Sequence, residues 1–305
     1  MTSVAVTTSN FCEYDSRPLD LLKSAGYNVV LNPYSRKLKM EEVVSVAKDA
    51  VGIIAGLEEY RSDTLHRLNH LKVISRVGVG LDSIDLEAAS QAKVKVFSTP
   101  DAVTASVAEL TVGLMLDLLR NISSQNASLK SGSWERKAGN LLGKKNIGIL
   151  GFGRIGKKVA SLLSGFDCHL YYYDPNVDAS SDPVEKCANL NELLKLSDIV
   201  TLHSQALSSH EPLLGAQQFK IMKKGSWLIN TSRGSLIDES ALFEFLKSRH
   251  LEGAALDVFN EEPYKGPLGK LDNVILTPHV GSYARESRIA MELEAVQNLL
   301  KGLKE

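Results

Sequence analysis

The sequence predicts an α/β chain built as two doubly wound, mostly parallel sheets. Three observations carry that expectation. Short apolar runs alternate with helix-like segments through the first hundred residues, a second series of the same kind begins at Ile147, and a Gly-x-Gly-x-x-Gly turn opens the second series. A chain of 305 residues with 44% hydrophobic content can bury the cores that two such domains need.

In chain order, the first series runs Val4 to Val6, Asp20 to Ser24, Val29 to Leu31, Glu41 to Ala47, Gly52 to Ile54 and Leu71 to Ser75. Apolar runs this short, separated by amphipathic stretches, read as buried strands crossed by helices. Between the two series, Val107, Leu110, Leu114 and Leu118 recur at helical spacing and predict one long helix over 106–119, with Ser106 as its cap. The second series comprises Ile147 to Leu150, His169 to Tyr173, Ile199 to Leu202, Trp227 to Asn230, Gly253 to Leu256 and Val274 to Leu276. A helix-like tail over 286–303 is too short to form a domain and is expected to pack back on the first one.

Composition narrows the classes of function. The formal net charge of -1 provides no overall field toward nucleic acid or an acidic membrane surface. Cys12, Cys168 and Cys187 lack paired or metal-ligand spacing, so neither a disulfide framework nor a metal site is expected. No apolar stretch approaches the roughly 18 to 20 residues that span a bilayer. These features together give the expectation of a cytoplasmic protein.

The glycine turn carries the first chemistry. The strand Ile147 to Leu150 runs into Gly151-Phe152-Gly153-Arg154-Ile155-Gly156 and then into a helix-like stretch. In such a turn Gly151 permits the tight bend, Gly153 lets the backbone approach a pyrophosphate, and Gly156 allows the helix to pack close to the strand. About twenty residues on, the strand ending at Tyr173 is followed by Asp174, placed to accept hydrogen bonds from ribose hydroxyls and to repel a 2′-phosphate. NAD is therefore expected over NADP.

Three later strands each end in a polar residue: Arg233 after Asn230, Glu262 after Leu256 and His279 after Leu276. Ligands bind outside the carboxyl ends of such sheets. A histidine exchanges protons near neutrality, a carboxylate bonded to it favours the imidazolium and fixes its orientation, and a guanidinium can grip a carboxylate and polarise an oxygen. Oxidation of a 2-hydroxy acid needs these three roles. The neighbouring Glu261 is an equally plausible acid from sequence alone.

These segments resemble the D-isomer-specific 2-hydroxyacid dehydrogenase family along nearly the whole chain. The resemblance rests on Arg76 to Asp85, Ser106 to Thr111, Gly132-Ser133-Trp134, Gly148 to Gly156, Asn230 to Gly234, Leu256 to Phe259 with Glu262-Pro263, and Thr277 to Gly281. It implies a Rossmann-type cofactor domain over 99–282 and a flavodoxin-like substrate domain over 1–98 and 283–305. Arg233, Glu262 and His279 form the implied catalytic group. The implied cofactor contacts are Gly151, Gly153, Arg154, Ile155, Gly156, Asp174, His203, Thr231, Ser232, Arg233, Asp257 near the nicotinamide, His279 and Gly281. The implied substrate contacts are Arg76, the amides of Val79 and Gly80, Arg233 and His279. A homodimer is also implied, joined through the cofactor domain and the helix over 106–119.

Within the family, Arg76 to Asp85 and Trp134-Glu135-Arg136 look most like enzymes that oxidise 3-phosphoglycerate in serine synthesis. Reductases of glyoxylate or hydroxypyruvate are the alternative, and a non-enzymatic dinucleotide sensor is the remote one. Where such enzymes often carry an Arg-Ser pair for the phosphate, this chain has Ala55-Gly56-Leu57-Glu58-Glu59, leaving Arg61, Arg76 or a partner subunit's residue to serve. In Leu202-His203-Ser204-Gln205-Ala206-Leu207 the family's usual proline, two residues after the histidine, is missing. The chain ends where longer relatives continue into a serine-sensing domain, so no serine feedback is expected.

Overall fold

A computed structural model describes residues 2–177, 183–205 and 211–304. The chain divides into two compact units, Met1–Val103 with Ser282–Glu305, and Thr104–Gly281.

The first unit is built from β1 (Ser3–Val6), α1 (Arg17–Ser24), β2 (Asn28–Leu31), α2 (Met40–Ala47), β3 (Ala50–Ala55), α3 (Ser62–His66), β4 (Val73–Arg76), α4 (Leu86–Gln91) and β5 (Lys95–Phe97). Its five strands are all parallel in the order β2-β1-β3-β4-β5, which is the flavodoxin-like arrangement. Alternation along the strands decides what covers each face. Ala5, Ile53, Ala55 and Ile74 join a cluster with Val43, Leu65 and Ala89 on one side. On the other, Gly52 leaves room for Leu299, and Val73 and Phe97 lie against Gly302, so the last helix packs on this unit.

The second unit contains α5 (Thr104–Arg120), α6 (Ile122–Lys130), β6 (Asn146–Leu150), α7 (Arg154–Leu163), β7 (His169–Tyr173), β8 (Glu185–Lys186), α8 (Leu190–Leu196), β9 (Ile199–Leu202), α9 (Ala216–Ile221), β10 (Ser226–Asn230), α10 (Glu239–Lys247), β11 (Leu251–Leu256) and β12 (Val274–Leu276). The final helix, α11 (Arg285–Lys304), belongs to the first unit. Seven parallel strands follow the order β12-β11-β10-β9-β6-β7-β8, a Rossmann sheet with one added edge strand. Successive residues feed opposite cores, because side chains alternate across a sheet. Val200, Leu228 and Leu256 enter one cluster and Ile199, Ile229 and Ala255 the other.

Ser106 does not cap α5; it is buried within the helix, two residues past its first residue Thr104. The turn after Pro100 continues straight into helix, so the helical period begins earlier than the apolar pattern indicates. Two strands that the sequence reading omitted, β5 and β8, have three and two residues and are defined by pairing with β4 and β7.

Candidate active site

The glycine turn sits at the carboxyl end of β6. Gly151 has φ 92°, a conformation that excludes most side chains, and a Cβ there would lie 2.7 Å from the His203 carbonyl carbon. Gly156 packs so closely that a Cβ would lie 2.2 Å from the Gly151 oxygen. Around Gly153, by contrast, no described residue comes within 4 Å of an added Cβ. Among the described residues no side chain caps the N-terminus of α7, which starts at Arg154 and Ile155. A helix N-terminus behind a side-chain-free approach suits a pyrophosphate.

Asp174 closes the turn. Its Oδ2 accepts the Phe152 N–H at 2.8 Å and its Oδ1 accepts the Asn176 N–H at 2.9 Å, which leaves a lone pair on each oxygen for ribose hydroxyls. These residues therefore fit a dinucleotide. At the end of β9, the His203 amide donates to the Leu150 oxygen at 2.7 Å and its Nε2 shares a 3.0 Å hydrogen bond with the Thr201 hydroxyl. Burial pushes this imidazole down to about 3, so it is neutral. Ala206 and Leu207, in the loop that departs from the family pattern, lie outside the described residues.

The ends of β10, β11 and β12 hold the second group. Buried Asn230 shapes the first turn: its Oδ1 accepts from the Ser232 amide at 3.0 Å and hydroxyl at 2.9 Å, and its Nδ2 donates to the Arg233 carbonyl at 2.8 Å. Arg233 Nη1 donates to the Ser232 carbonyl at 2.7 Å. Thr231 is buried and its hydroxyl meets that of Thr111 on α5 at 2.9 Å. The chain then turns at Gly234, where a Cβ would lie 2.0 Å from the Phe259 carbonyl carbon. Only glycine lets the Arg233 turn approach the segment that follows β11 this closely.

That segment brings Glu262 to His279. Glu262 Oε1 accepts the Phe259 N–H at 3.1 Å, and Oε2 lies 2.8 Å from His279 Nδ1. Of the two adjacent acids, Glu262 is thus the partner of the histidine. Burial alone raises the Glu262 carboxyl. The hydrogen bond and charge of His279, the Phe259 amide and the Arg233 charge outweigh it, and the group titrates below its ordinary 4.5. Arg233, Glu262 and His279 therefore share one electrostatic neighbourhood.

His279 sits at φ 54° in the loop after β12, and the geometry of this loop comes from Asp257. Asp257 is 1% exposed; its Oδ1 accepts from the Thr277 hydroxyl at 2.6 Å and the Val280 amide at 2.8 Å, and its Oδ2 accepts from the Gly281 amide at 2.8 Å. Three donors flanking the histidine converge on one carboxylate, a task that the sequence reading did not assign to it. Sequence reasoning also missed Asn230, although Asn-x-Ser after a strand is a recognisable turn signal.

Arg76, Val79 and Gly80 belong to the first unit. Arg76 ends β4, and its guanidinium folds back over Gly78, where a Cβ would lie 2.3 Å from Nη1. Gly78 has φ 135° and its amide donates to the Thr99 hydroxyl at 2.8 Å. The Val79 and Gly80 amides that follow donate to no group among the described residues, and both residues are partly exposed. Such a turn can receive an anion.

The chain is similar to several known proteins. The family model for the D-isomer specific 2-hydroxyacid dehydrogenase, NAD binding domain, matches residues 112–281. A D-3-phosphoglycerate dehydrogenase of Methanocaldococcus jannaschii is 42% identical over 275 residues, covering 87% of this chain and 52% of the relative. The chain thus spans about half the length of that protein. A hydroxypyruvate reductase of Thermotoga maritima is 37% identical over 276 residues, covering 88% of this chain and 90% of the relative. The crystal structure of the TT0316 protein from Thermus thermophilus superposes with a TM-score of 0.92 at 34% identity, covering 99% of this chain and 97% of that one.

Proposed function

The chain belongs to the D-isomer-specific 2-hydroxyacid dehydrogenase family, and we propose on that premise that it interconverts a small D-2-hydroxy acid and its 2-oxo acid with NAD. The observation that carries this reading is the His279–Glu262 contact of 2.8 Å beside Arg233, on loops at the same edge of the sheet as the glycine turn of an NAD-binding domain.

The contact supports a division of roles between the two ring nitrogens. Glu262 engages Nδ1, so Nδ1 carries a proton toward the carboxylate and Nε2 is left to exchange a proton with the substrate. In oxidation, Nε2 takes the proton of the C2 hydroxyl while the C2–H bond breaks as hydride and the C2–O bond becomes a carbonyl. Glu262 stabilises the resulting imidazolium. In reduction, Nε2 returns the proton to the oxygen. A nicotinamide, when bound, supplies or accepts the hydride. Arg233 polarises the C2 oxygen; in the first unit, the amides of Val79 and Gly80 offer donors suited to a carboxylate. Gly153, Arg154 and Ile155 receive the pyrophosphate, and Asp174 selects NAD over NADP.

Two substrates follow from likeness. The phosphoglycerate dehydrogenase relatives point to 3-phosphoglycerate, and with it serine synthesis; the relative of matching length points to hydroxypyruvate. A specific structural observation favours the second: Gly56 to Tyr60 after β3 turns an acid, Glu58, inward. Rates measured in both directions with 3-phosphoglycerate, hydroxypyruvate, glyoxylate and pyruvate test the function. Absence of NAD-linked turnover with all of them would remove it.

The partner in this reading is a second copy of the chain. No residue of α6 is buried, and Trp134 and Leu141 are 76% and 75% exposed, alongside exposed Ile122 and Leu129. Apolar side chains gathered over 122–141 suit a subunit contact. Replacing both Trp134 and Leu141 with Asp should shift the sedimenting species from dimer to monomer. The free cysteines accord with a reducing compartment such as the cytoplasm, and no described helix is long and apolar enough to cross a membrane.

A further inference from the structure

We propose that Glu58 closes the substrate-facing loop after β3 against anionic groups, so that this enzyme takes 2-hydroxy acids whose C3 substituent is short and uncharged. The proposal rests on the reading above, in which the turn at Val79 and Gly80 holds the substrate carboxylate.

Two loops lie side by side at the carboxyl ends of β3 and β4. The Val77 amide donates to the Ala55 carbonyl at 2.8 Å, the Tyr60 amide to the Ser83 carbonyl at 2.8 Å, and the Asp85 amide back to the Tyr60 carbonyl at 2.9 Å. Adjacent strands are about 4.8 Å apart. A substituent extending from a carboxylate held at Val79 and Gly80 toward β3 therefore runs onto Gly56 to Tyr60.

An anion arriving there needs N–H donors, and a strand-end loop offers its backbone amides. Here Glu58 has taken the first of them. It is 1% exposed, and its Oε2 accepts the Gly56 amide at 2.8 Å and the Thr7 hydroxyl at 3.3 Å. Tyr60, fully buried, braces the arrangement through a 2.6 Å contact between its hydroxyl and that of Thr7. The chain thus occupies the Gly56 amide, at the mouth of this loop, with a carboxyl of its own.

What the loop shows outward is unsuited to a phosphate. Leu57 is half exposed, and Glu59 is exposed and lies 3.5 Å from Arg61 Nε. Arg61 also reaches the Asp82 carbonyl at 3.4 Å, so the cation nearest this loop in sequence is already engaged. A phosphoryl group would have to displace an internal carboxyl, break the Glu59–Arg61 pair, or lie against a leucine.

The test uses D-glycerate and 3-phospho-D-glycerate, which differ only by the phosphate, oxidised with NAD by the full-length protein. The expected result is a kcat/KM for D-glycerate about tenfold or more above that for 3-phosphoglycerate. Glu58→Ala, which frees the Gly56 amide, and Glu58→Gln, which keeps the shape of the side chain, should both narrow that ratio. A wild-type preference for the phosphorylated acid overturns the proposal, and so does a ratio unmoved in whichever variants fold. Turnover of neither acid, nor of hydroxypyruvate in reverse, would strike the dehydrogenase reading instead. Calorimetry with the same two acids then decides this point, tighter binding of 3-phosphoglycerate overturning it.

Discussion

Replacing Asp257 with Asn separates two roles that one carboxylate could have. In the structure both oxygens face the loop after β12, with three donors at 2.6 to 2.8 Å. An Asn amide keeps one acceptor oxygen, but its NH2 must face an N–H of Val280 or Gly281 whichever way it is turned. One charge-assisted hydrogen bond is lost, about 1.5–3 kcal/mol, and a buried donor is left opposed, about 1–3 kcal/mol, giving roughly 3–5 kcal/mol in all. For a domain of this size that lowers the melting temperature by on the order of 10 °C. His279 lies between the anchored Thr277 and Val280, and a displacement of about 1 Å at the reacting atoms costs about a hundredfold in rate. Differential scanning fluorimetry, steady-state kinetics and NADH titration on the same variant provide the readouts. Melting temperature and kcat should fall together while NADH affinity holds. Weakened NADH binding with unchanged melting would refute the reasoning and show that Asp257 serves the nicotinamide instead.

The remaining expectations are simpler. His279→Ala should lower kcat by about a hundredfold or more while NADH binding and melting temperature stay close to wild type, because its side chain is 39% exposed and bonds only Glu262 among the described residues. Asp174→Ala should weaken NAD binding more than NADP binding, as measured by KM for each; an equal loss would remove the carboxylate from cofactor selection. Because the Glu262 carboxyl titrates below its unfolded value of 4.5, it contributes stability above that pH which disappears as the pH falls through its lower folded value. Glu262→Gln should therefore flatten the acid side of the stability curve below about pH 4.5 and leave its neutral side nearly parallel to wild type. A denaturation series across that range gives the comparison.

Much of this candidate site is legible in the sequence, for reasons that lie in particular residues. Ile147 to Leu150 and Trp227 to Asn230 are strands buried on both faces, so they read as unbroken apolar runs, and the chemistry begins where the runs stop. The histidine, the arginine and a glutamate could be found from strand ends alone. What chose Glu262 over Glu261 was the distance to Nδ1, set by residues seventeen apart in the chain. Glu58 and Asp257 were visible as letters, but the direction of each side chain was not. Thr7 lies 51 residues from Glu58, and Gly281 lies 24 from Asp257. A polar residue turns inward only when distant donors are waiting for it, and no local pattern records them. Edge strands β5 and β8 escaped notice because pairing, not composition, makes them strands.

His279 follows an edge strand that is only three residues long, paired on one side through Val274, Ile275 and Leu276. Few ladder bonds resist its departure, and a slip of one residue along β11 would carry the imidazole about 3.3 Å from its position. Asp257 works as a latch on that register. Heating should therefore release the catalytic margin before the sheet melts: inactivation curves should run ahead of unfolding curves, and the amides of Val280 and Gly281 should exchange with deuterium sooner than those of β9 or β10.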